Sequence, residues 1–176
     1  MFTYPGKGFN LLESDPDILD IAHGLSMQCR FNGHVKSFYS VAEHCVNVAM
    51  ILRDQNTSAE LQLAGLLHDA GESYLGDITV PVALTCDISE VRTLEKRIMH
   101  RVCDMAGICP SFLNHAKLHQ ADQDMGRLEI QKLIPQHHDM ISFEDLPLGI
   151  PIRSWAPEQA RKAFLDWYDF LRGKLS

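Results

Sequence analysis

The stretch Ser40-Val41-Ala42-Glu43-His44-Cys45-Val46-Asn47-Val48-Ala49-Met50-Ile51-Leu52 decides the fold class. Together with Phe38, the residues Val41, Cys45, Val48 and Leu52 recur at alternating spacings of three and four. On a helix they form one stripe, which must be buried. Ser40 suits an N-cap, with Glu43 three residues on as its reciprocal capping-box partner. His44 falls about 80–100° round the helix from the centre of that stripe. It sits beside Val48 and Ile51, at the edge of the buried face.

The same reading extends to both sides. Asp15-Pro16-Asp17 caps a helix over residues 17–27, with the proline near its first turn. Before it, Pro5-Gly6-Lys7-Gly8 interrupts residues 2–12 and suits a small N-terminal hairpin. That glycine string lacks the spacing and the following Ser/Thr of a phosphate loop. Downstream, Thr57-Ser58 caps a helix buried through Leu63, Leu66 and Leu67, with His68-Asp69 in its last turn. Gly71, Gly76 and Pro81 then break the pattern, so residues 72–81 are expected as loop or short turns. Long helices are expected over 88–106 and, after Pro110, over 111–133. Residues 135–155 carry four prolines or glycines without a steady period and read as a wrapping loop. Pro157 opens a final helix with Ala160, Phe164, Trp167 and Leu171 inside. The expectation is an all-α helical bundle forming one domain over residues 1–176.

At 176 residues the chain can bury a core without staples. Its net charge of −7, with both signs mixed along the sequence, argues against nucleic-acid and membrane binding. A small anionic substrate must therefore be drawn in by local cations or a metal. Five cysteines without a C-x-x-C pair, Cys45 among them on an apolar stripe, read as reduced thiols. The N-terminus lacks the apolar run of a signal peptide, and no stretch approaches the ~20 apolar residues of a membrane span. The expected setting is cytoplasmic.

The chemistry concentrates at His68-Asp69-Ala70-Gly71-Glu72, with His44 24 residues upstream of His68. Imidazole and carboxylate together suit borderline first-row ions and leave room for water. His68 and Asp69 are about 100° apart on a helix and converge only where the backbone loosens, as Gly71 allows. A fourth ligand falls on the later helix, where Asp122 and Asp124 flank the stripe Leu118/Ala121/Met125/Leu128. Periodicity does not choose between them, and His115, His119 and Glu129 lie nearby. Glu72, four residues after His68, stands where a general acid or base is wanted. Arg30, His34 and Lys36 form a basic cluster before the His44 helix, and an arginine fork fits phosphate oxygens. Phe31 can stack on a base. His137-His138 reads as solvated, with a second metal site as the alternative.

The strings Ser40-Val41-Ala42-Glu43-His44, His68-Asp69-Ala70-Gly71-Glu72 with Gly76-Asp77 and Pro81, and Gln120-Ala121-Asp122 resemble the HD-domain phosphohydrolases. Within them the pattern is most similar to the small 5′-deoxynucleotidases, whose relatives include phage deoxynucleoside triphosphohydrolases. The resemblance runs over residues 30–129. It implies a helical bundle holding one divalent ion (Co, Mn, Zn, Mg or Fe) between helices through His44, His68, Asp69 and Asp122. It makes Glu72 the catalytic carboxylate and Asp77 the acceptor for a sugar 3′-hydroxyl. Arg30 and Phe31 match an arginine–aromatic pair at the substrate pocket, to which Pro81 also belongs. The pattern departs at Phe31, where tryptophan is usual, and at Ala83, where a basic residue often stands. Lys36 or His34 is then expected to supply the missing phosphate contact. The implied reaction converts a dNMP to a deoxynucleoside and phosphate, and self-association is common in such proteins. Other readings are release of triphosphate from a dNTP, hydrolysis of (p)ppGpp-like or cyclic nucleotides, a catalytically idle nucleotide or metal sensor, and a structural helical module.

Overall fold

Helix α2 (Val41–Asp54) forms the centre of the core, with Val41, Cys45, Val48 and Leu52 fully buried. The computed structural model describes residues 1–4, 6–134 and 149–175. Their regular elements are α1 (Ile18–Met27), a 3-10 turn (Arg30–Gly33), α2, α3 (Ala59–Leu67), α4 (Glu72–Leu75), α5 (Val80–Thr85), α6 (Ser89–Ala106), a second 3-10 turn (Pro110–Asn114), α7 (Ala116–Leu133) and α8 (Pro157–Arg172). Strand-like pairing among them is confined to two isolated antiparallel bridges, Phe2 with Gly8 and Cys29 with Ser40. The expected all-α class is what the chain adopts, and the first bridge is the N-terminal hairpin.

Packing follows from the stripes. Helix α2 lies against α3, α7 and α8, while α1 packs on α8 and α4. One apolar cluster runs from Phe9 through Leu66 and Met125 to Phe164 and Leu171. Each fully buried aliphatic side chain in it contributes roughly 1.5–3 kcal/mol. Local signals set the helix ends. Asp17 accepts from Leu19 N, Ser40 from Glu43 N and Ser58 from Leu61 N, each capping its helix. Gly107, at φ +66°, ends α6 in the left-handed conformation that glycine adopts without a Cβ penalty.

Several expectations change. Pro16 precedes the Asp17 cap and lies outside the first turn. Phe38 lies before α2 and is 37 % exposed, so the stripe begins at Val41. Glu43 does not close a capping box. Its carboxylate accepts from the backbone N–H groups of Arg153 (2.7 Å), Ser154 (3.1 Å) and Trp155 (2.7 Å), pinning the approach to α8 onto α2. Residues 72–81 include α4 and the start of α5, because the breakers limit helix length without preventing helix. The expected 111–133 helix is split at His115, whose ring accepts from Lys117 N and caps α7. Trp167 is only partly buried and stacks under Arg53. His137-His138 and most of the expected wrapping loop lie outside the described residues.

Candidate metal centre and substrate cleft

Three helical segments bring the acid and imidazole groups together. His44 projects from the first turns of α2, His68 is the C-cap of α3, Asp69 follows it, and Asp122 comes from α7. His44 is fully buried, not at the edge of its face. Its Nε2 lies 3.1 Å from Asp122 Oδ1 and 3.8 Å from Asp69 Oδ2. His68 Nε2 lies 3.2 Å from Asp69 Oδ1 and 3.7 Å from Asp122 Oδ1. One ligand atom each from His44, His68 and Asp122 lie within 4.8 Å of one another, and so do those of Cys45, His68 and Asp69, so either group could hold a metal ion and the two share His68.

The hydrogen bonds fix which atoms face the cluster. His44 donates from Nδ1 to Glu129 Oε1 at 2.6 Å, and His68 donates from Nδ1 to the Gly65 carbonyl at 2.8 Å. Each ring then turns its Nε2 inward, the atom that histidine ligands with an anchored Nδ1 offer to a metal once it is deprotonated. Nε2 of His68 is buried without a hydrogen-bond partner. An orphaned imidazole nitrogen beside two carboxylates is the chemistry a divalent cation satisfies.

The titration behaviour has the same origin. Burial raises the pKa of Asp69, but the charges of His68, His44 and Arg30 outweigh it and bring it down to about 2. Asp122 is likewise buried, yet its contacts with His44 and His68 hold it well below the carboxylate range. Burial and Arg30 lower the pKa of His44, but Glu129 and Asp122 prevail and raise it. Burial opposes protonation of His68 too, and Asp69 and Asp122 raise it well above its ordinary value. Protons thus gather where positive charge is wanted.

The cluster opens into a cleft of about 460 Å³ lined by Arg30, Phe31, Asp69, Glu72, Asp77, Ile78, Thr79, Pro81, Asp122, Ile130 and Ile134. Glu72 begins α4, whose backbone is held when Gln28 Nε2 donates to the Glu72 carbonyl at 2.8 Å. Gly24 permits this approach, since a Cβ there would meet Ser73 Cβ at 2.9 Å. Burial, with the charges of Asp69 and Asp77, pushes the Glu72 carboxyl up to about 9 against Arg30 and His68. Its Oε2 is buried without a partner. Arg30 is anchored through its main chain, whose N–H donates to the Tyr39 carbonyl at 2.9 Å. Its Nε donates to Glu129 Oε2 at 2.9 Å, its Nη1 lies 3.8 Å from Asp69 Oδ2, and its guanidinium sits over the Phe31 ring.

The structure does not bring His34 and Lys36 to this cleft. The backbone turns away through three left-handed residues, Phe31 (φ 54°), Asn32 (φ 52°) and Gly33 (φ 80°). His34 is exposed, and Lys36 donates its N–H to the Leu133 carbonyl and lines a separate cavity. Asp124 pairs with Gln120 and Arg127, away from the cluster. Glu129, named from sequence only as a neighbour of the last ligand, is instead the buried partner of both His44 and Arg30. Its seven-residue spacing from Asp122 was the available signal.

The model of the HD domain family matches residues 41–163, more than half of the chain. The chain belongs to the HD domain family. The matched span contains His44, His68, Asp69, Glu72, Asp77 and Asp122, and leaves Arg30 and Phe31 outside. The HD chain is 32 % identical over 187 aligned residues to the uncharacterized protein RCAP_rcc00048 of Rhodobacter capsulatus, covering 97 % of this chain and 94 % of that one. It is 35 % identical over 111 residues to the uncharacterized protein YfdR of Escherichia coli, covering 61 % of this chain and 58 % of that protein. HD domains bind divalent metals and are typically metal-dependent hydrolases, so membership suggests a metal-dependent phosphohydrolase. No described helix is long and apolar enough to cross a membrane.

Proposed function

We propose that this HD domain hydrolyses the 5′-phosphate of deoxynucleoside monophosphates, giving a deoxynucleoside and inorganic phosphate. The observation that carries the reading is the single cleft in which Asp69, Asp122, Glu72, Arg30, Phe31 and Asp77 meet. His44, His68, Asp69 and Asp122 would hold the divalent ion, which would supply positive charge toward the phosphate and acidify water. With the charge of Asp69 neutralised, Glu72 ionises more readily and takes a proton from the attacking water. Water oxygen bonds to phosphorus, the phosphorus–O5′ bond breaks, and the proton goes to the departing sugar oxygen. Arg30 steadies the phosphate through its Nη groups. Asp77 accepts a hydrogen bond from the sugar 3′-hydroxyl, and Phe31 and Pro81 pack against the nucleoside.

Among the described lining residues Arg30 is the single cation, which suits one phosphate better than three. The test incubates the protein with Mn²⁺, Co²⁺ or Mg²⁺ and a panel of dNMPs, NMPs and dNTPs, and resolves the products chromatographically. Deoxynucleoside and phosphate from dNMPs are expected. Triphosphate released from a dNTP would replace this reading with the triphosphohydrolase one, and tight nucleotide binding without turnover would replace it with a sensor.

A further inference from the structure

We infer that Glu129 is a positioning residue that joins His44 to Arg30, so that metal and phosphate bind to the cleft cooperatively. The inference rests on the reading of the cleft as a metal-dependent phosphate site, and goes beyond it by linking the two ligands through one buried carboxylate.

Glu129 stands seven residues after Asp122, two turns along the same face of α7, and is 0 % exposed. Its two oxygens serve different partners. Oε1 accepts from His44 Nδ1 at 2.6 Å, and Oε2 accepts from Arg30 Nε at 2.9 Å. Tyr39 is also buried beside it, and the Tyr39 hydroxyl accepts from Asn47 Nδ2 at 2.9 Å. A buried carboxylate is costly unless fully paired, and here both oxygens are paired.

Each arm has a consequence at the cleft. Donation from Nδ1 fixes the His44 tautomer, leaves Nε2 for a cation, and makes the ring more basic. The Nε bond fixes the plane of the Arg30 guanidinium and leaves its Nη edge for another anion. In this structure Nη1 is 3.8 Å from Asp69 Oδ2. A cation that takes up the charge of Asp69 releases that edge for phosphate, while Glu129 keeps the arginine in place. Phosphate held by the arginine in turn adds negative charge beside the cation. By linkage each ligand strengthens the other by the same factor.

The test uses Mn²⁺ and inorganic phosphate as probes, measured by isothermal titration calorimetry without turnover. For the unaltered protein, saturating phosphate is expected to tighten Mn²⁺ binding by about tenfold. Glu129→Gln keeps one acceptor oxygen, so it cannot accept from both His44 and Arg30. It is expected to weaken Mn²⁺ by about tenfold or more and to reduce the effect of phosphate to less than about twofold. Arg30→Lys keeps the charge and lacks the Nε donor. Its Mn²⁺ affinity without phosphate should stay near that of the unaltered protein, while phosphate tightens it less than about twofold. A merely structural Glu129 would shift the unfolding temperature and leave the coupling intact. Coupling unchanged in Glu129→Gln, or absent from the unaltered protein, overturns the inference, and Glu129→Asp, whose shorter side chain cannot reach both His44 and Arg30, decides it if Glu129→Gln does not fold. Hydrolysis of dNMPs with no metal–phosphate coupling would sink this inference alone. Coupling in a protein that hydrolyses no nucleotide would sink the substrate reading alone.

Discussion

The wall of the cleft that carries His44, His68 and Asp122 hangs on α2, the end of α3 and α7, whereas the rim that carries Phe31, Asp77 and Pro81 hangs on a left-handed turn and two short helices. On the wall, His44 and Glu129 are fully buried and every ring nitrogen that faces away from the cluster has a fixed acceptor. On the rim, Phe31 holds a φ of 54°, which costs a non-glycine residue about 1–2 kcal/mol, and Pro81 is exposed. The wall is held by regular helices and buried hydrogen bonds. The rim is shaped by turns whose geometry depends on single residues. The HD match begins at Val41 and so includes the wall but not Arg30 or Phe31. The matched span also includes Asp77 and Pro81, so of the residues named here only the Arg30–Phe31 turn lies outside it.

The contrast can be broken most severely at Asp69. Asp69→Ala removes a proposed ligand and a cleft wall at once, and should abolish turnover in a phosphate-release assay. Retained activity would sink the assignment of the wall. Glu72→Gln separates the chemistry from the metal, and is expected to lower kcat by about 10²–10⁴-fold while metal content, measured by elemental analysis, stays unchanged. Glu43→Ala leaves three partly buried N–H groups without their carboxylate. Urea unfolding should show a loss of about 3 kcal/mol, because each charged hydrogen bond is worth about 1.5–3 kcal/mol and the chain relaxes only partly.

A smaller effect concerns pH in chelated protein. Glu72 is pushed up to about 9 in the fold, against an ordinary value of 4.5. Between these values the native state keeps a proton that the unfolded state has lost, so stability falls as pH rises. Glu72→Gln removes that slope, and thermal melts should show the variant gaining on the unaltered protein from pH 5 to pH 8. An equal difference at both pH values would contradict the burial argument. Smallest is Gly107→Ala, outside both regions, where a φ of +66° and the Arg172 guanidinium 2.8 Å from the added Cβ predict a loss of about 1 kcal/mol.

Much of the wall was legible in the sequence because its signals are local. The Ser40 and Ser58 caps and the stripe through Val41, Cys45, Val48 and Leu52 each act within a turn or two. What could not be read depends on partners far along the chain. Glu43 has a capping-box spacing, yet its acceptor capacity goes to Arg153, Ser154 and Trp155, more than a hundred residues later. Asp122, Asp124 and Glu129 share one helix, and only the position of α7 against α2 separates a cluster residue, a surface pair and a buried joint. His34 and Lys36 cluster with Arg30 in sequence, but positive φ at Phe31, Asn32 and Gly33 carries the chain away; Asn32-Gly33 suits that conformation, while Phe31 gives no sign of it.

The most direct test of the account is the number of divalent ions held per chain by the unaltered protein and by Asp122→Ala and Asp124→Ala, titrated with Mn²⁺. One ion for the unaltered protein and Asp124→Ala, with binding lost in Asp122→Ala, is the predicted result. No ion bound by the unaltered protein, or binding undiminished in Asp122→Ala, would contradict the metal centre on which the rest depends.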